Sequence, residues 1–349
     1  MHALVKSGTL LTIGKSVNLL PIYGLKVGNG PLKVLIWSQM HGNESTTTRA
    51  ILHILEDFKA GKALEILDQL SIFIIPQLNP DGSKVYTRYN ANHVDLNRDA
   101  VDQSQPESVA LKAVFDEFKP DFCFNLHGQR TIFAAGKKGS PSTLSFLSPA
   151  ADSQRLITPA RLKAMQIIVA INNNLGTSLT NQIGRYEDTF NINCVGDTFQ
   201  SLGKPTILFE AGHVGNDYNR EKSRLYMFKA LCYSLDYISR SDLSIKTNIS
   251  EYHNIPQNKK CFFDIILSNI ELNGNKYNLA IQYKEKLKDN SIDFQPQLEK
   301  INNLEGYFAH KMIDLNNKTI DFPSEKDLTI GSEIDFVIAN NEKISLKIY

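Results

Sequence analysis

Short apolar runs alternate with longer amphipathic stretches over roughly the first 240 of the 349 residues. Lys33 to Gln39, with Val34, Leu35, Ile36 and Trp37 in succession, reads as a buried strand. Residues 17–27 read as a strand joined to it through Gly28-Asn29-Gly30-Pro31, a turn by composition. Ser71–Pro76, Asp121–Leu126 and the short run Thr206–Phe209 are further apolar strands. Between them Ile51, Leu52, Leu55 and Phe58 share one helical face, the Ser/Thr cluster at 45–48 offers an N-cap, and Gly61 ends the run. His53 falls on that helix as a partly exposed residue. Pro106 opens a second helix that turns Val109, Leu111, Val114, Phe115 and Phe118 inward, with Ser104 as its cap. Thr158-Pro159 opens a third, and residues 220–238 form a long amphipathic fourth. Strands alternating with helices predict an α/β sheet with helices on both faces.

From about residue 250 the pattern changes to short apolar runs between Asn- and Lys-rich turns. Two pairs of such runs flank Asn273-Gly274 and Asn340-Asn341 and read as hairpins. Ile344, Leu346 and Ile348 alternate with polar neighbours as in a half-buried strand. The expected organisation is a catalytic-type α/β unit over 1–245 and a small all-β domain over 250–349.

Composition narrows the class. Hydrophobic residues are 42% and charged residues 21%, as in a globular chain, and Lys+Arg 38 against Asp+Glu 37 gives a net charge of +1. Nothing in that balance argues for nucleic acid or for an acidic membrane surface as a partner. Four widely spaced cysteines form neither a disulfide framework nor a zinc ribbon. With no signal peptide in the given sequence, a cytoplasmic location is expected.

The chemistry sits where the apolar runs stop. The strand at Lys33 runs into Met40-His41-Gly42-Asn43-Glu44, the strand at Asp121 ends in His127, and Thr206–Phe209 ends in Glu210. In an α/β sheet the carboxyl ends of neighbouring strands share one crevice, so these four side chains can meet in one cleft. Two imidazoles and one carboxylate with an open fourth position form a catalytic zinc shell. A further carboxylate off the metal can then take a proton from water. Between the strands, residues 87–100 are too polar for a core element and carry Arg88, Asp95, Asn97, Arg98 and Asp99.

With those residues in view, the sequence resembles the zinc carboxypeptidases of peptidase family M14. The resemblance rests on His41-Gly42-Asn43-Glu44, Asn79-Pro80-Asp81-Gly82, Arg88 through Val94-Asp95-Leu96-Asn97-Arg98, Asn125-Leu126-His127 and Phe209-Glu210, in the family's order over the first 240 residues. It implies a mixed, mostly parallel twisted sheet with helices on both faces. It also implies one Zn²⁺ held by His41, Glu44 and His127, Glu210 as general base, Arg88 polarising the scissile carbonyl, and Asn97 with Arg98 holding the substrate's carboxylate. The expected activity is hydrolysis of the amide bond next to a free C-terminal carboxylate. The expected partner is a peptide or small amide. A related deacylase branch, resembling aspartoacylase and succinylglutamate desuccinylase, is the near alternative, and a silent peptide-binding module the distant one.

Three positions depart from the family pattern: His93 replaces a common glycine, Asp99 a usual asparagine, and Gly128 a common serine. Tyr186 and Tyr218 are candidates for the family's capping tyrosine, each with a structural alternative. His213 is read as structural, with a supporting place beside the metal as the alternative. Asp197, thirteen residues before Glu210, is a candidate acidic pocket floor that would favour a basic C-terminal residue. Its alternatives are to cap the following turn or to pair with Arg185.

Overall fold

The computed structural model describes residues 8–136, 139–240, 249–272, 274–321 and 329–348. Asn273 of the expected hairpin turn, and the expected domain boundary near residue 245, lie outside the described residues.

Strands β1 (Gly8–Lys15), β2 (Pro21–Val27), β3 (Leu32–Ser38), β4 (Leu70–Ile75), β5 (Phe122–Gly128), β7 (Leu144–Leu147), β8 (Ile183–Arg185) and β9 (Thr206–Ala211) form one mixed sheet in the order β1-β2-β4-β3-β5-β9-β7-β8. The middle strands β4, β3, β5 and β9 are mutually parallel, and the flanking pairs β1/β2, β2/β4 and β7/β9 are antiparallel. The apolar runs mark the buried middle of this sheet. The edges escaped that reading: β1 alternates between exposed and half-buried residues, and β7 and β8 span only 4 and 3 residues. The expected strand at 17–27 is therefore corrected to β2 alone, after a turn in which Ser16 N donates to Leu20 O and Leu19 takes φ +63°.

Alternation along β3 sorts the core into two layers. Val34 and Ile36 pack with helices α1 (Ser45–Lys59), α5 (Pro159–Leu175) and α7 (Glu221–Arg240); α2 (Glu65–Gln69) sits at the edge of that layer. Leu35 and Trp37 pack on the opposite face with α4 (Pro106–Phe118) and α6 (Val195–Ser201). Two expected caps are corrected. The N-cap position of α1 is Glu44, which makes no capping bond. The chain entering α4 is instead held by Asp99, which accepts from Ser104 N, Ser104 Oγ and Gln105 N, and Val109 on α4 is 48% exposed rather than inward. That carboxylate role accounts for Asp99. Asn79-Pro80-Asp81-Gly82 is the start of a short helix, α3 (Pro80–Lys84), with Asn79 Oδ1 capping Gly82 N at 2.8 Å.

After α8 (Ile249–Asn254) the chain forms β10 (Asn258–Lys260), which pairs with β6 (Phe133–Ala135) of the first unit. The β domain follows as one six-stranded sheet in the order β13-β12-β11-β14-β15-β16, from β11 (Phe262–Leu272), β12 (Asn275–Lys288), β13 (Ser291–Ile301), β14 (Phe308–Asp321), β15 (Phe336–Ala339) and β16 (Glu342–Ser345). Both expected hairpins are present, β11/β12 and β15/β16, the second turning through Asn340 and Asn341 at positive φ. Its core, including Ile265, Leu279, Ile281, Leu298 and Val337, is separate from the two layers above. Among the described residues no helix is long and apolar enough to cross a membrane.

Candidate active site

Strand register alone brings two of the chemical residues together. His127 and Glu210 are direct partners across the parallel pair β5/β9, so their side chains leave the sheet on the same face. His41 and Glu44 come from the loop after β3, the neighbour of β5 on its other side. That loop is pressed onto α3: a Cβ on Gly42 would lie 2.0 Å from the Gly82 carbonyl carbon, and Asn79 Nδ2 donates to Met40 O at 3.1 Å. Two motifs far apart in sequence thus form one support. Gly42 and Gly82 serve close backbone approach there.

His41 Nδ1 lies 2.9 Å from Glu44 Oε1, His127 Nδ1 lies 3.0 Å from Glu44 Oε2, and the two Nδ1 atoms are 3.1 Å apart. All three side chains are buried. A tetrahedral Zn²⁺ with bonds of about 2.0–2.1 Å sets its ligand atoms roughly 3.3 Å apart, close to this spacing. With His41 Nε2 donating to Asp95 Oδ1 at 3.0 Å, the neutral imidazole would offer its Nδ1 lone pair to a cation held by the trio. The donor set therefore fits a divalent cation. Burial works against charge on Glu44, but His41 and His127 outweigh it and hold its carboxyl well below the usual range. Burial also opposes a charged His41, and Glu44 with Asp95 overcomes it, raising His41 above its ordinary value. His127, with burial dominant, is lowered.

Asp95 ties the site together. Its Oδ2 accepts from Arg88 Nε at 3.0 Å and Nη2 at 2.8 Å, while Oδ1 also accepts from Asn97 N at 2.9 Å. Arg88 Nη1 is thereby held 3.8 Å from Glu44 Oε1. Burial resists the charge on Asp95, yet His41 and Arg88 bring its carboxyl far below the ordinary value. Glu210 contrasts with it: Oε2 is buried without a hydrogen-bond partner among the described residues, and burial, then Glu44, push its carboxyl well above the ordinary value.

The trio, Arg88 and Glu210 line one cleft of about 530 Å³, together with Arg98, Asn97, Asp197, Tyr186 and Lys260. Asn97 Oδ1 accepts from Val195 N at 3.1 Å, which turns the amide's NH₂ end to any ligand, and Arg98 is exposed, with Nη1 on Asn97 O at 2.7 Å. Asp197 accepts from Asn191 N at 3.2 Å and is buried, which raises its carboxyl to about 6. Its expected alternative partner Arg185 lies instead over the Tyr252 ring.

Of the two candidate tyrosines, Tyr186 lines the cleft, whereas the Tyr218 hydroxyl donates to Asp264 Oδ1 at 3.0 Å beneath the β domain. His213 does not support the trio: Nε2 meets Gly215 O at 2.7 Å and its ring stands against His310. Sequence reasoning passed over Asp95 as an orienting group, although it lies inside a quoted motif. It missed Lys260 and Arg130, which carry no motif at all. His93 adopts φ +60°, a left-handed conformation that explains why glycine suits the position. A Cβ on Gly128 would meet Glu44 at an ordinary 3.5 Å, so nothing steric forbids the common serine.

Fold and site together define an α/β protein whose strand ends assemble a His-Glu-His group that could hold a cation, beside a second buried carboxylate. The chain is zinc carboxypeptidase-like: residues 6–135 match the family model for zinc carboxypeptidases. It is 32% identical over 113 residues to "Probable carboxypeptidase 2" of Arthroderma benhamiae, covering 31% of this chain and 21% of that protein. It is 30% identical over 144 residues to "Carboxypeptidase SOL1" of Arabidopsis thaliana, covering 35% and 29%. The matched segments thus span less than a third of those relatives' lengths. In fold it is similar to a metallo-carboxypeptidase from Burkholderia cenocepacia, with a TM-score of 0.55 at 18% identity over 68% of this chain and 66% of that one.

Proposed function

We propose that this protein is a zinc-dependent carboxypeptidase that hydrolyses the amide bond next to a free C-terminal carboxylate. The observation that carries the reading is the convergence of His41, Glu44 and His127 with Glu210, Arg88 and Arg98 on one cleft. His41, Glu44 and His127 would hold one Zn²⁺ per chain, and all lie within residues 1–245, the unit to which we assign the chemistry. When bound, the metal lowers the pKa of a water and polarises the scissile carbonyl.

The protein groups divide the remaining work. Arg98 grips the terminal carboxylate through paired N–H donors, and Asn97 adds its amide, which fixes the substrate end in the cleft. Arg88, aimed by Asp95, presents its guanidinium to the carbonyl oxygen as negative charge builds there. Glu210 takes a proton from water and delivers it to the leaving amine. Its Oε2, buried on the cleft without a hydrogen-bond partner among the described residues, is free to accept that proton and give it up.

The test is mass spectrometry of a peptide pool incubated with the zinc-loaded full chain. Loss of single C-terminal residues is expected. Glu210→Gln should retain the zinc and lose turnover about 100-fold or more. An unchanged pool, or near-normal activity in Glu210→Gln, would reject the reading. Release of acyl groups from N-acyl amino acids without peptide trimming would transfer it to the deacylase branch.

A further inference from the structure

The cleft does not end at the His-Glu-His trio. On the other side of Glu44 and Gly128 a second cavity, of about 620 Å³, opens between the α/β unit and the β domain. Asn43, Glu44, Gly128 and Arg130 line both cavities, so Glu44, alone of the trio, stands at the neck between them, with His41 and His127 on the first cavity's side. The far wall is foreign to the first unit: Glu285 on β12 and Ser291, Ile292 and Phe294 on β13 supply it.

The electrostatics of this wall are lopsided. Glu285 is 7% exposed and is shared by Arg220, whose Nη2 donates to Oε1 at 2.9 Å, and by Arg130 and the Tyr86 hydroxyl on Oε2. One carboxylate set between two guanidiniums leaves a positive charge over. Each guanidinium has five N–H donors, more than the two oxygens of Glu285 can accept. Arg49, on the same cavity, is 40% exposed and pairs at the rim with Glu221. The other acid on the wall, Glu44, belongs to the trio.

We propose that this second cavity is the subsite for the acyl side of the substrate, and that Arg130, Arg220 and Arg49 make it selective for a carboxylate-bearing group there, such as an acidic side chain or a dicarboxylic cap. The inference rests on the proposed function, which places the scissile bond at the trio: with the C-terminal carboxylate at Arg98 in the first cavity, the chain on the other side of that bond must pass Gly128 into the second. Paired donors on arginine match a carboxylate and distinguish it from an isosteric amide. The β domain thereby acts as a specificity element, because Glu285 holds two of the three arginines in place.

An isosteric pair of peptides decides it. Acetyl-Glu-Glu and acetyl-Gln-Gln are each extended by the same efficiently released C-terminal residue and offered to the zinc-loaded full chain. The Glu peptide should show about tenfold higher kcat/KM, the scale of a charge-assisted hydrogen bond. The difference should lie mainly in KM and shrink with added salt. Arg220→Gln should cut the ratio severalfold. If that variant fails to fold, Arg49→Gln, at a half-exposed position, should lower it to a smaller degree. Calorimetry of the two products, acetyl-Glu-Glu and acetyl-Gln-Gln, on zinc-free protein gives a readout independent of turnover, with the Glu form expected to bind tighter. Equal kcat/KM values, a preference for Gln, or a ratio unmoved by both substitutions would overturn the subsite. Cleavage of neither peptide would overturn the proposed function instead, and the calorimetric comparison would still decide the subsite.

Discussion

The two cavities that meet at Glu44 are each organised by one acidic side chain that captures arginine, but they are assembled at different ranges. Asp95 binds Arg88, His41 and the Asn97 backbone, and two of these three partners lie within seven residues of it. Glu285 binds Tyr86, Arg130 and Arg220 from a different domain, each more than 60 residues away in sequence. The first network can form when one loop settles on the sheet. The second exists only when the β domain is seated. Chemistry common to a family can be kept in the first kind of network, while the second lets an added domain retune the substrate.

The largest effect that separates the two networks should come from Asp95→Asn. The amide can still meet His41 Nε2 through its oxygen but loses the charge that orients both His41 and Arg88. Zinc affinity should fall about 10- to 100-fold, the usual range for a partner behind a metal-ligating histidine. Competition with a chelator measures it. Unaltered affinity would mean that the trio is positioned by packing alone, and the comparison between the networks would lose its basis.

What could be read from the sequence follows the same division. His41, Glu44, His127 and Glu210 were legible because each ends an apolar run, and burial on both faces of β3, β5 and β9 writes those runs plainly. The sheet's edge strands and the α1 and α4 caps were not legible. Of the edge strands, β1 buries too little to leave a pattern and β7 and β8, though buried, are too short to show one; neither helix start has a side-chain cap, Glu44 being turned to the trio and Asp99 holding the chain just ahead of α4. Arg130 and Glu285 had no signal of either kind. Their contact depends on how β12 lies against the loop after β5, which no local spacing encodes.

A second effect probes the seating of the β domain directly. His310 Nε2 bonds Thr131 O at 2.8 Å, the His213 ring is 4.5 Å away, and both Nδ1 atoms are buried without partners among the described residues. Burial lowers His310 to about 4 and His213 to about 2. Below an unfolded value of about 6.5 the unfolded chain takes up protons that these folded imidazoles refuse, so their contribution favours folding above pH 6.5 and is lost as pH falls toward about 4. Asp264, raised by burial to about 6, acts in the opposite sense as it gains its proton. Replacing one imidazole isolates its share: urea unfolding of His310→Gln between pH about 7 and 5 should lose about 2 kcal/mol less stability than the wild type. Parallel curves for the two proteins would show that His310 titrates freely.

The smallest effect concerns the far end of the first cavity. Asp197 lines the cleft with its carboxyl raised to about 6 by burial, and it accepts a hydrogen bond from the Asn191 backbone amide. A substrate lysine or arginine side chain reaching it would supply the missing counter-charge, which a buried carboxylate favours. Arg98 sits on the same cleft, so part of that attraction is already met and the preference for a basic C-terminal residue should be only severalfold. The pH dependence has a definite sign. Asp197 must be ionised to favour a cation, so the ratio of kcat/KM for peptides ending in Lys to those ending in Phe should rise as pH passes upward through about 6. Asp197→Asn should make that ratio flat with pH while leaving Phe-ended peptides as substrates. A ratio in the wild type that does not change with pH, or one that Asp197→Asn does not alter, would leave Asp197 as a holder of the Asn191 backbone and nothing more.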